Sequence, residues 1–351
     1  MIRCYVFMLT SELDYDLPSE LIAQHPIEPR DASRLMVIHR NTGAIEHRYF
    51  YDLPHYLQAG DLLVANHSQV IPARLMGRKP TGGKAELLLL RKLDQTQWLA
   101  LVGGRNVKKI IFDQTPEVTV TVLVADSNNP ECVIQFSQPI EPFLAQLGTI
   151  PLPPYIQSRL NDPGRYQTVY AAVAGSAAAP TAGLHFTPTL IDTLHRQEVD
   201  MAWVTLHVGL DTFKPIDEAV VEQHAIHSEW VELSAQTFAA ITKTKDRKRR
   251  VVAVGSTSVR VLEAVANGAV ETQVLPNLDT RGIAGFTRFY ITPGYQFKTV
   301  DAIITNFHLP RSTLLAMMGA FMGVELMKIA YAEAIRERYR FYSFGDAMLI
   351  L

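Results

Sequence analysis

The chain has 351 residues, of which 48% are hydrophobic and 19% are charged, a composition that is typical of globular proteins and excludes a disordered one. At this length two domains are expected rather than a single core. The formal net charge of −2 excludes a basic field over the whole surface, so a nucleic acid would have to be bound by local basic patches.

The two cysteines, Cys4 and Cys132, lie far apart in sequence and in no metal-ligand spacing. They exclude a disulfide framework and favour a reducing compartment. No apolar run is long enough to predict a membrane span, and no cleavage site follows the short apolar run after Met1. Met8 is an alternative candidate for the start, because organised sequence begins only at Leu13.

The first part of the chain predicts mixed helix and strand. A short helix is expected from Leu17 to Ile22, and strands are expected at residues 34–38, 45–50 and 61–65. Asn41-Thr42-Gly43 supplies the turn between the first two strands.

Residues 70–154 have a different pattern, in which short β-rich runs at 85–91, 98–102, 118–124 and 132–136 are separated by turn residues. Helical periodicity is almost absent there until residues 143–147. Closely spaced strands of this kind indicate a small barrel or sandwich. The proline-rich residues 151–154 mark its end.

Beyond residue 155 strands and helices alternate, as is typical of an α/β domain. The predicted helices cover residues 189–197, 235–245, 258–266 and 313–338, and the predicted strands cover residues 200–208, 251–254, 287–291 and 301–305. The predicted fold class is therefore α/β, with a larger discontinuous α/β catalytic domain interrupted by an inserted small β-barrel domain. The α/β domain comprises residues 1–69 and 155–351, and the barrel comprises residues 70–154.

Gly255-Ser256-Thr257-Ser258 lies between a predicted strand and a predicted helix that contains Arg260. Such a turn presents backbone N–H groups and hydroxyls to an anion, for example a phosphate or an amino-acid carboxylate. Plain helix capping by Ser256 or Ser258 is the alternative. Neither a Gly-x-Gly-x-x-Gly motif nor a Walker-type Gly-Lys-Ser is present.

Three histidines lie where ligands are often bound. His207 lies near the end of the predicted strand at 200–208, and His308 follows the predicted strand at 301–305. His227 lies two residues before Glu229, whose carboxylate could orient it. A hydrogen-bonded structural role is the alternative for a lone histidine. A metal site is disfavoured because the histidines lack i,i+4 spacing and a cysteine companion, and no serine or cysteine has the surroundings of a hydrolase nucleophile.

Three basic clusters favour contact with phosphates, although a solvated helix end is the ordinary explanation of one such run. The clusters contain Lys243, Lys245, Arg247, Lys248, Arg249 and Arg250; Arg74, Arg78, Lys79 and Lys84; and Arg105, Lys108 and Lys109.

Ordered segments along almost the whole chain resemble one enzyme family, the S-adenosylmethionine:tRNA ribosyltransferase-isomerases of queuosine biosynthesis. The most distinctive is Ala-Ala-Pro-Thr-Ala-Gly-Leu-His-Phe-Thr at residues 178–187. The others are residues 14–18, 30–35, 70–75, 81–84, 165–170, 204–210, 227–229, 255–260, 293–295, 304–309 and 339–350.

The resemblance implies an α/β domain with an inserted β-barrel. It implies that the ribosyl moiety of S-adenosylmethionine is moved to 7-aminomethyl-7-deazaguanine at the wobble position of a tRNA with a GUN-type anticodon. Isomerisation then gives epoxyqueuosine-tRNA, while adenine and methionine leave. It further implies a monomeric cytoplasmic enzyme without a membrane partner, and no metal or other cofactor, since S-adenosylmethionine is the ribosyl-donor substrate.

The implied chemistry needs a base, because a sulfonium acidifies the adjacent 5′ carbon, and it needs a donor for the departing adenine. The catalytic candidates are His185, His207, His227, Glu229, His308 and Asp346. The substrate-binding candidates are Gly183, Gly209 and Gly255, for close backbone approach, with Ser256, Thr257, Ser258 and Arg260 for the methionine carboxylate. The tRNA-binding candidates are Arg74, Lys84, Arg105, Lys108, Lys109 and Arg311. The sequence does not assign the base and the acid among them.

Three places depart from the family pattern. Asn66-His67-Ser68-Gln69 stands where the family usually has Asn-Asp-Thr/Ser-Arg/Lys, so that an acid is replaced by His67. Asp211 and Lys214 replace a glycine and an arginine, and Gly104-Arg105-Asn106 replaces Ala-Arg-Pro. Two alternatives therefore remain open: an RNA-binding relative that has lost turnover, and a small-molecule S-adenosylmethionine enzyme that does not act on RNA.

Overall fold

The computed structural model describes residues 7–125, 131–209, 214–273 and 282–351, so that Met1, Cys4, Leu210 and Asp211 lie outside the described residues. The strands are β1 Arg34–His39, β2 Ala44–Tyr49, β3 Leu62–Asn66, β4 Ser68–Val70, β5 Arg74–Arg78, β6 Lys84–Lys92, β7 Gln97–Gly103, β8 Lys109–Ile111, β9 Thr119–Ala125, β10 Glu131–Phe136, β11 Gly148–Thr149, β12 Val173–Ser176, β13 Asp200–Leu206, β14 Glu229–Leu233, β15 Val251–Val254, β16 Glu271–Thr272, β17 Ile283–Thr287, β18 Ala302–Asn306 and β19 Ala347–Ile350. The α-helices are α1 Leu144–Leu147, α2 Pro188–Arg196, α3 Ala235–Asp246, α4 Ser256–Ala266, α5 Thr313–Met322 and α6 Val324–Arg336.

The chain divides into two compact units. The first comprises Met1–Ser68, Pro154–Ala172 and Pro180–Leu351, and the second comprises Gln69–Pro153 and Val173–Ala179. The second unit thus takes in Val173–Ala179, which the sequence-based division placed in the α/β domain.

The first unit is built on a sheet with the strand order β16-β17-β14-β13-β3-β15-β18-β19-β1-β2. Its central strands β13, β3, β15 and β18 are parallel, so their carboxyl ends meet at one edge of the sheet. Strands β14 and β19 run antiparallel to their neighbours β13 and β18, so they begin at that same edge.

Strands β3, β15 and β18 form because their residues are mostly apolar without alternation, as expected of strands that are covered on both faces. All residues of β3, β15 and β18 are buried. On one face, Leu63, Val252 and Ile304 pack in a single core cluster with side chains of α2. Helices α3 and α4 contact β3, β13 and β15. Side-chain caps begin several helices, such as Ser234 Oγ accepting the Thr237 N–H at 3.2 Å at the start of α3.

Two sequence-based elements of the first unit are wrong in extent. The expected continuous helix over residues 313–338 is two helices, α5 and α6, which meet at Gly323 with φ +85° and are bent by 114°. The expected strand at 287–291 is wrong, because β17 ends at Thr287 and the Thr287 hydroxyl then accepts the Phe289 N–H at 3.1 Å, which turns the chain. Strands β14 and β19 were not predicted.

Within the described ranges no single helix has the length and apolar composition needed to cross a membrane; only the bent pair α5 and α6, taken together, has both.

The second unit is a small β-barrel. Its strands follow the order β11-β5-β6-β7-β10-β9-β8, and the barrel closes where Arg78 of β5 pairs with Ile111 of β8. Closure requires a glycine on β5, since a Cβ at Gly77 would lie 2.5 Å from Ile110 Cγ2. Strands β5 and β8 were not predicted, but the predicted α/β fold with a small barrel is confirmed.

Candidate functional site

Polar residues gather at the carboxyl edge of the parallel strands in the first unit. Asn66 ends β3, His207 follows β13, Gly255 follows β15 and Asn306 ends β18. Because β14 and β19 begin at this edge, Glu229 and Asp346 lie there as well. In open α/β sheets this edge is where ligands bind.

Four buried side-chain atoms at this edge have no hydrogen-bond partner in the part of the chain that the structure describes. They are His207 Nδ1, Thr257 Oγ1, Arg260 Nε and Asn306 Oδ1. An unsatisfied buried polar atom costs stability, and folded proteins leave few of them. Other such atoms lie elsewhere in both units, so it is the position of these four at the carboxyl edge that makes them candidates for contacts with a polar ligand.

Glu229 is the centre of an ionic network at this edge. One carboxylate oxygen pairs with Arg260 Nη1, and the other lies 3.1 Å from His227 Nε2 and accepts the Gly209 N–H at 3.2 Å. Burial alone would raise the pKa of Glu229, but Arg260, His227 and the Gly209 N–H outweigh it and lower that pKa below its ordinary value. Glu229 is therefore an ionised carboxylate that orients His227.

Arg260 is committed to this network rather than open to a ligand at its terminal nitrogens. Its Nη2 donates to the carbonyl oxygens of His227 and Thr287 at 2.9 and 3.4 Å, in addition to the ion pair with Glu229. Counting contacts with the described residues, only its Nε is without a hydrogen-bond partner. Arg260 thus holds Glu229 ionised, which leaves little of the guanidinium for the methionine carboxylate.

His207 and His227 flank Gly209. The backbone N–H of His207 donates to the backbone oxygen of Trp230 at 3.1 Å, and a Cβ at Gly209 would lie 3.8 Å from His227 Cδ2. Burial, helped by His67, lowers the pKa of His207 to about 4, so its imidazole is neutral at neutral pH. A side chain at position 209 would occupy space between the carboxyl edge and His227.

His185 is held between two polar side chains. Its Nδ1 lies 2.7 Å from Ser33 Oγ, its Nε2 lies 3.2 Å from Asn306 Nδ2, and its ring stacks on Phe50 with centroids 5.0 Å apart. Burial, together with Arg340 and Arg30, lowers the pKa of His185 to about 3. The imidazole is neutral and both of its nitrogens are engaged, so it is arranged to position Asn306 rather than to exchange protons.

Gly183 lies in the same segment and is required by close packing. A Cβ there would overlap the Tyr170 hydroxyl and lie 2.7 Å from Thr168 Cγ2. The glycine therefore serves the packing of the segment that presents His185, and its neighbours leave no room for a ligand at that atom.

His308 and Asp346 are also engaged within the fold. His308 Nε2 lies 2.8 Å from Thr305 Oγ1, and burial lowers the pKa of His308 to about 3. Burial raises the pKa of Asp346, whose two oxygens accept the backbone N–H groups of Arg34 at 2.9 Å and Arg340 at 2.8 Å. Both residues join neighbouring segments at the edge.

The turn after β15 does not act as a simple serine cap. Gly255, with φ +87°, is the N-cap of α4 and no side chain caps the helix, while Ser258 donates to Val254 O at 2.8 Å. Ser256 begins the helix, and the hydroxyl of Thr257 is buried without a hydrogen-bond partner in the described ranges. The first-turn N–H groups and Thr257 therefore remain for an anion such as a carboxylate.

His67, which replaces the acid usual in the family pattern, packs inside the first unit. Its ring is parallel to that of Trp203 with an interplanar angle of 2°, and its Nε2 lies 3.1 Å from Thr205 Oγ1. Burial lowers the pKa of His67. A neutral, stacked histidine thus fills this position beside His207.

The predicted tRNA-binding residues fall in both units. In the barrel, Lys84, Arg105, Lys108 and Lys109 are exposed, whereas Arg74 is half-buried and lies 3.2 Å from Glu86. In the first unit, Arg311 donates to Ile216 O at 3.2 Å.

The basic cluster of residues 243–250 lies at the other end of the sheet. It spans the end of α3 and leads into the start of β15, which is the amino edge. Lys245 lies 2.7 Å from Asp301, and Arg250 pairs with Asp61. These residues therefore do not belong to the candidate site.

Sequence reasoning missed Ser33 and Asn306. The only local signal was an amide at the end of the apolar strand Ala302-Ile303-Ile304-Thr305-Asn306. Over the residues whose structure is described, no group of three or more His, Cys, Asp or Glu side chains could hold a metal ion.

Comparisons with known proteins agree over the full length of the chain. The family model described as queuosine biosynthesis protein matches residues 10–350. The chain is 50% identical to the S-adenosylmethionine:tRNA ribosyltransferase-isomerase of Symbiobacterium thermophilum, covering 98% of this chain and 100% of the relative. It is 49% identical to the protein of the same name from Moorella thermoacetica, with the same coverage. The crystal structure of S-adenosylmethionine tRNA ribosyltransferase from Thermotoga maritima is similar, with a TM-score of 0.56 and 39% identity over 97% of this chain and 100% of that one.

Proposed function

The chain belongs to the family of queuosine biosynthesis proteins and is an S-adenosylmethionine:tRNA ribosyltransferase-isomerase, and on that premise we propose where its substrates bind and which residues act. Its substrates are S-adenosylmethionine and tRNA. The acceptor we propose is 7-aminomethyl-7-deazaguanine at the wobble position of a tRNA with a GUN-type anticodon. The products are then epoxyqueuosine-tRNA, adenine and methionine.

We further propose that the enzyme needs no metal or other cofactor, acts as a monomer in the cytoplasm, and has no membrane partner. The reaction supplies a reason for the absence of a cofactor. The sulfonium of the ribosyl donor already activates the carbon that must be deprotonated, so a protein base is sufficient.

The observation that carries the location of the site is the set of unsatisfied buried atoms at the carboxyl edge. S-adenosylmethionine brings both donors and acceptors, and it would satisfy atoms such as His207 Nδ1 and Thr257 Oγ1, which otherwise cost stability. The methionine carboxylate is assigned to the start of α4, where Thr257 and the first-turn N–H groups lie.

Proton transfer is assigned to His227 and His207. His227 is one-fifth exposed and is oriented by the ionised Glu229, which suits a general base. His207 is neutral and has an unpartnered ring nitrogen, which suits a hydrogen bond to a substrate group. His185 and Asp346 support the site through their contacts, since both ring nitrogens of His185 and both oxygens of Asp346 are engaged within the fold. His308 is assigned a supporting role because its Nε2 contacts Thr305 and burial keeps it neutral.

The surface proposed for tRNA lies on the barrel. Lys79 Nζ donates to Arg105 O at 3.1 Å, which joins the β5–β6 hairpin to the segment between β7 and β8. The exposed cations Lys84, Arg105, Lys108 and Lys109 are thereby grouped on one part of this unit. Such a cluster binds the phosphate backbone in spite of the overall charge of −2.

The test is adenine release. The protein is incubated with S-adenosylmethionine and a tRNA that carries 7-aminomethyl-7-deazaguanine, and free adenine and modified tRNA are measured. Adenine release that requires the tRNA supports the proposal. Tight tRNA binding without adenine release would indicate an RNA-binding relative that has lost turnover, and release without any tRNA would indicate a small-molecule enzyme.

The proposed base is tested in the same assay. His227→Gln should lower kcat by about 100-fold or more, the range that general-base catalysis contributes. His195→Gln is the matched control, because His195 lies in the last turn of α2, away from the carboxyl edge. An equal effect of the two substitutions would contradict the assignment.

A further inference from the structure

We propose that the side-chain oxygen of Asn306 accepts a hydrogen bond from a neutral N–H or O–H group of the nucleoside part of S-adenosylmethionine, and that Ser33 and His185 hold it in place for this purpose. The inference rests on the proposed function. Asn306 would thus be a residue that binds and orients the ribosyl donor.

The first observation is the contrast between two asparagines at the same edge of the sheet. Asn66 ends β3, and its amide is fully used: Nδ2 donates to Leu206 O at 2.9 Å, and Oδ1 accepts the N–H groups of Ser68 and Leu206 at 3.0 and 3.2 Å. Asn306 ends β18 and is 2% exposed, yet its Oδ1 has no hydrogen-bond partner among the described residues. Asn66 thus links β3 to β13 through its side chain, whereas Asn306 leaves its side-chain oxygen unsatisfied.

The second observation is that the amide of Asn306 cannot turn to satisfy itself. Its Nδ2 donates to Tyr342 O at 3.1 Å, and that carbonyl also accepts the Gly345 N–H at 2.9 Å. Turning the amide would place Oδ1 against the Tyr342 carbonyl oxygen, which is an acceptor only. Tyr342 itself has φ +72°, an uncommon conformation for a residue other than glycine, and such strain is frequent at binding sites.

The positioning of this oxygen continues through two more side chains. Asn306 Nδ2 can only donate, so the Nε2 of His185, 3.2 Å away, is the acceptor and Nδ1 carries the proton. That proton is donated to Ser33 Oγ at 2.7 Å. Each group in the series Ser33, His185, Asn306 therefore has one fixed role, and the free acceptor at its end points to a donor outside the protein.

The charges nearby indicate which donor this is. The charged groups that act on His185 are two guanidinium groups, Arg340 and Arg30. A further cation beside these two would be repelled, which disfavours the ammonium groups of the methionine part and of the aminomethyl base. The neutral donors that remain on S-adenosylmethionine are the adenine 6-amino group and the ribose hydroxyls.

The test compares binding of S-adenosylmethionine with binding of analogues that lack one donor each. The analogues carry hydrogen in place of the 6-amino group, of the 2′-hydroxyl or of the 3′-hydroxyl. Dissociation constants are measured by competition against radiolabelled S-adenosylmethionine, with and without a tRNA whose wobble base is an unmodified guanine, so that no turnover occurs. The proteins are the full chain, Asn306→Leu, and Asn66→Leu as the matched control.

For the unsubstituted protein, one of the three analogues should bind about 10- to 100-fold more weakly than S-adenosylmethionine, because it leaves a buried acceptor unpaired. That analogue identifies the donor. Asn306→Leu should bind S-adenosylmethionine and this analogue equally, whereas Asn66→Leu should keep the difference. If Asn306→Leu keeps the difference, or if the unsubstituted protein binds all ligands alike, the proposal is overturned.

If Asn306→Leu does not fold, Ser33→Ala is the deciding variant, since it removes the hydroxyl that fixes His185 and leaves Asn306 present. A smaller difference in affinity between S-adenosylmethionine and that one analogue supports the proposal, and an unchanged difference overturns it.

Two further outcomes separate this inference from the proposed function. Donor-specific binding by a protein that releases no adenine would refute the transfer reaction and leave Asn306 assigned, while no binding of S-adenosylmethionine at all would refute both.

Discussion

The ion pair between Arg260 and Glu229 allows a sharp prediction about stability. The side chains are 7% and 4% exposed, so Arg260→Met leaves a carboxylate that is buried and without its main counter-charge. Removing one partner of a buried ion pair typically costs about 3–5 kcal/mol in the free energy of unfolding. His227 and the Gly209 N–H remain on Glu229 and will reduce that cost, so we expect about 3 kcal/mol at neutral pH.

The pH dependence follows from the direction of the pKa shift. In the unsubstituted protein the pKa of Glu229 is lowered from 4.5, so its stabilising contribution is complete above 4.5 and is lost as the pH falls through the lowered value. In Arg260→Met the pKa of the buried carboxyl should instead be raised, and the penalty for ionising it disappears when it is protonated. The stability difference between the two proteins should therefore be largest at neutral pH and shrink as the pH falls from the raised pKa of the variant, through 4.5, to the lowered pKa of the unsubstituted protein.

The assay is denaturant unfolding followed by tryptophan fluorescence, at neutral pH and at a pH near 4.5. Arg336→Met is the matched control, because the Arg336–Glu333 pair is 66% and 22% exposed and such pairs contribute little. Adding Glu229→Gln to Arg260→Met should restore part of the lost stability. A loss in Arg260→Met that equals the control, or that does not shrink at low pH, would refute the reasoning.

Three more predictions concern other parts of the molecule. Because the pKa of His185 is lowered from 6.5 to about 3, the unfolded chain binds a proton there more tightly than the folded chain does. The free energy of unfolding should therefore fall as the pH is lowered from 6.5 to about 3, and denaturation at stepped pH should show a shallower fall for His185→Gln. Gly183→Ala should cost about 1–3 kcal/mol in the free energy of unfolding because its Cβ overlaps the Tyr170 hydroxyl, and adding Tyr170→Phe should recover part of it; no recovery would contradict the packing argument. Lys109→Glu should weaken tRNA binding and lower the slope of log affinity against log salt by about 1 per lost phosphate contact, without changing S-adenosylmethionine binding. The matched control is Lys248→Glu, at the amino edge of the sheet in the first unit, which should change neither tRNA affinity nor its salt dependence. Equal effects of the two substitutions on tRNA binding would place the RNA surface elsewhere.

The sequence by itself determined the elements whose signals are local. Strands β3, β15 and β18 consist of apolar runs, which in β3 and β18 end in polar residues, because they are covered on both faces, and such runs can be recognised without knowing what covers them. The turn residues and short strands of residues 70–154 likewise predicted a barrel. The strand ends also predicted that His207 and His308 lie at the ligand-binding edge, since that follows from chain direction alone.

Only the tertiary structure decided what each polar group at that edge does. Arg260 and Glu229 are 31 residues apart, and His185 and Asn306 are 121 residues apart, so no local pattern shows that they are hydrogen-bonded. Burial then decides their charge: it holds His185 and His308 neutral, while the nearby arginine keeps Glu229 ionised. The sequence indicates the residue types that such a reaction needs. Desolvation and long-range pairing, which exist only in the folded chain, determine which of these residues remain available to bind the substrate.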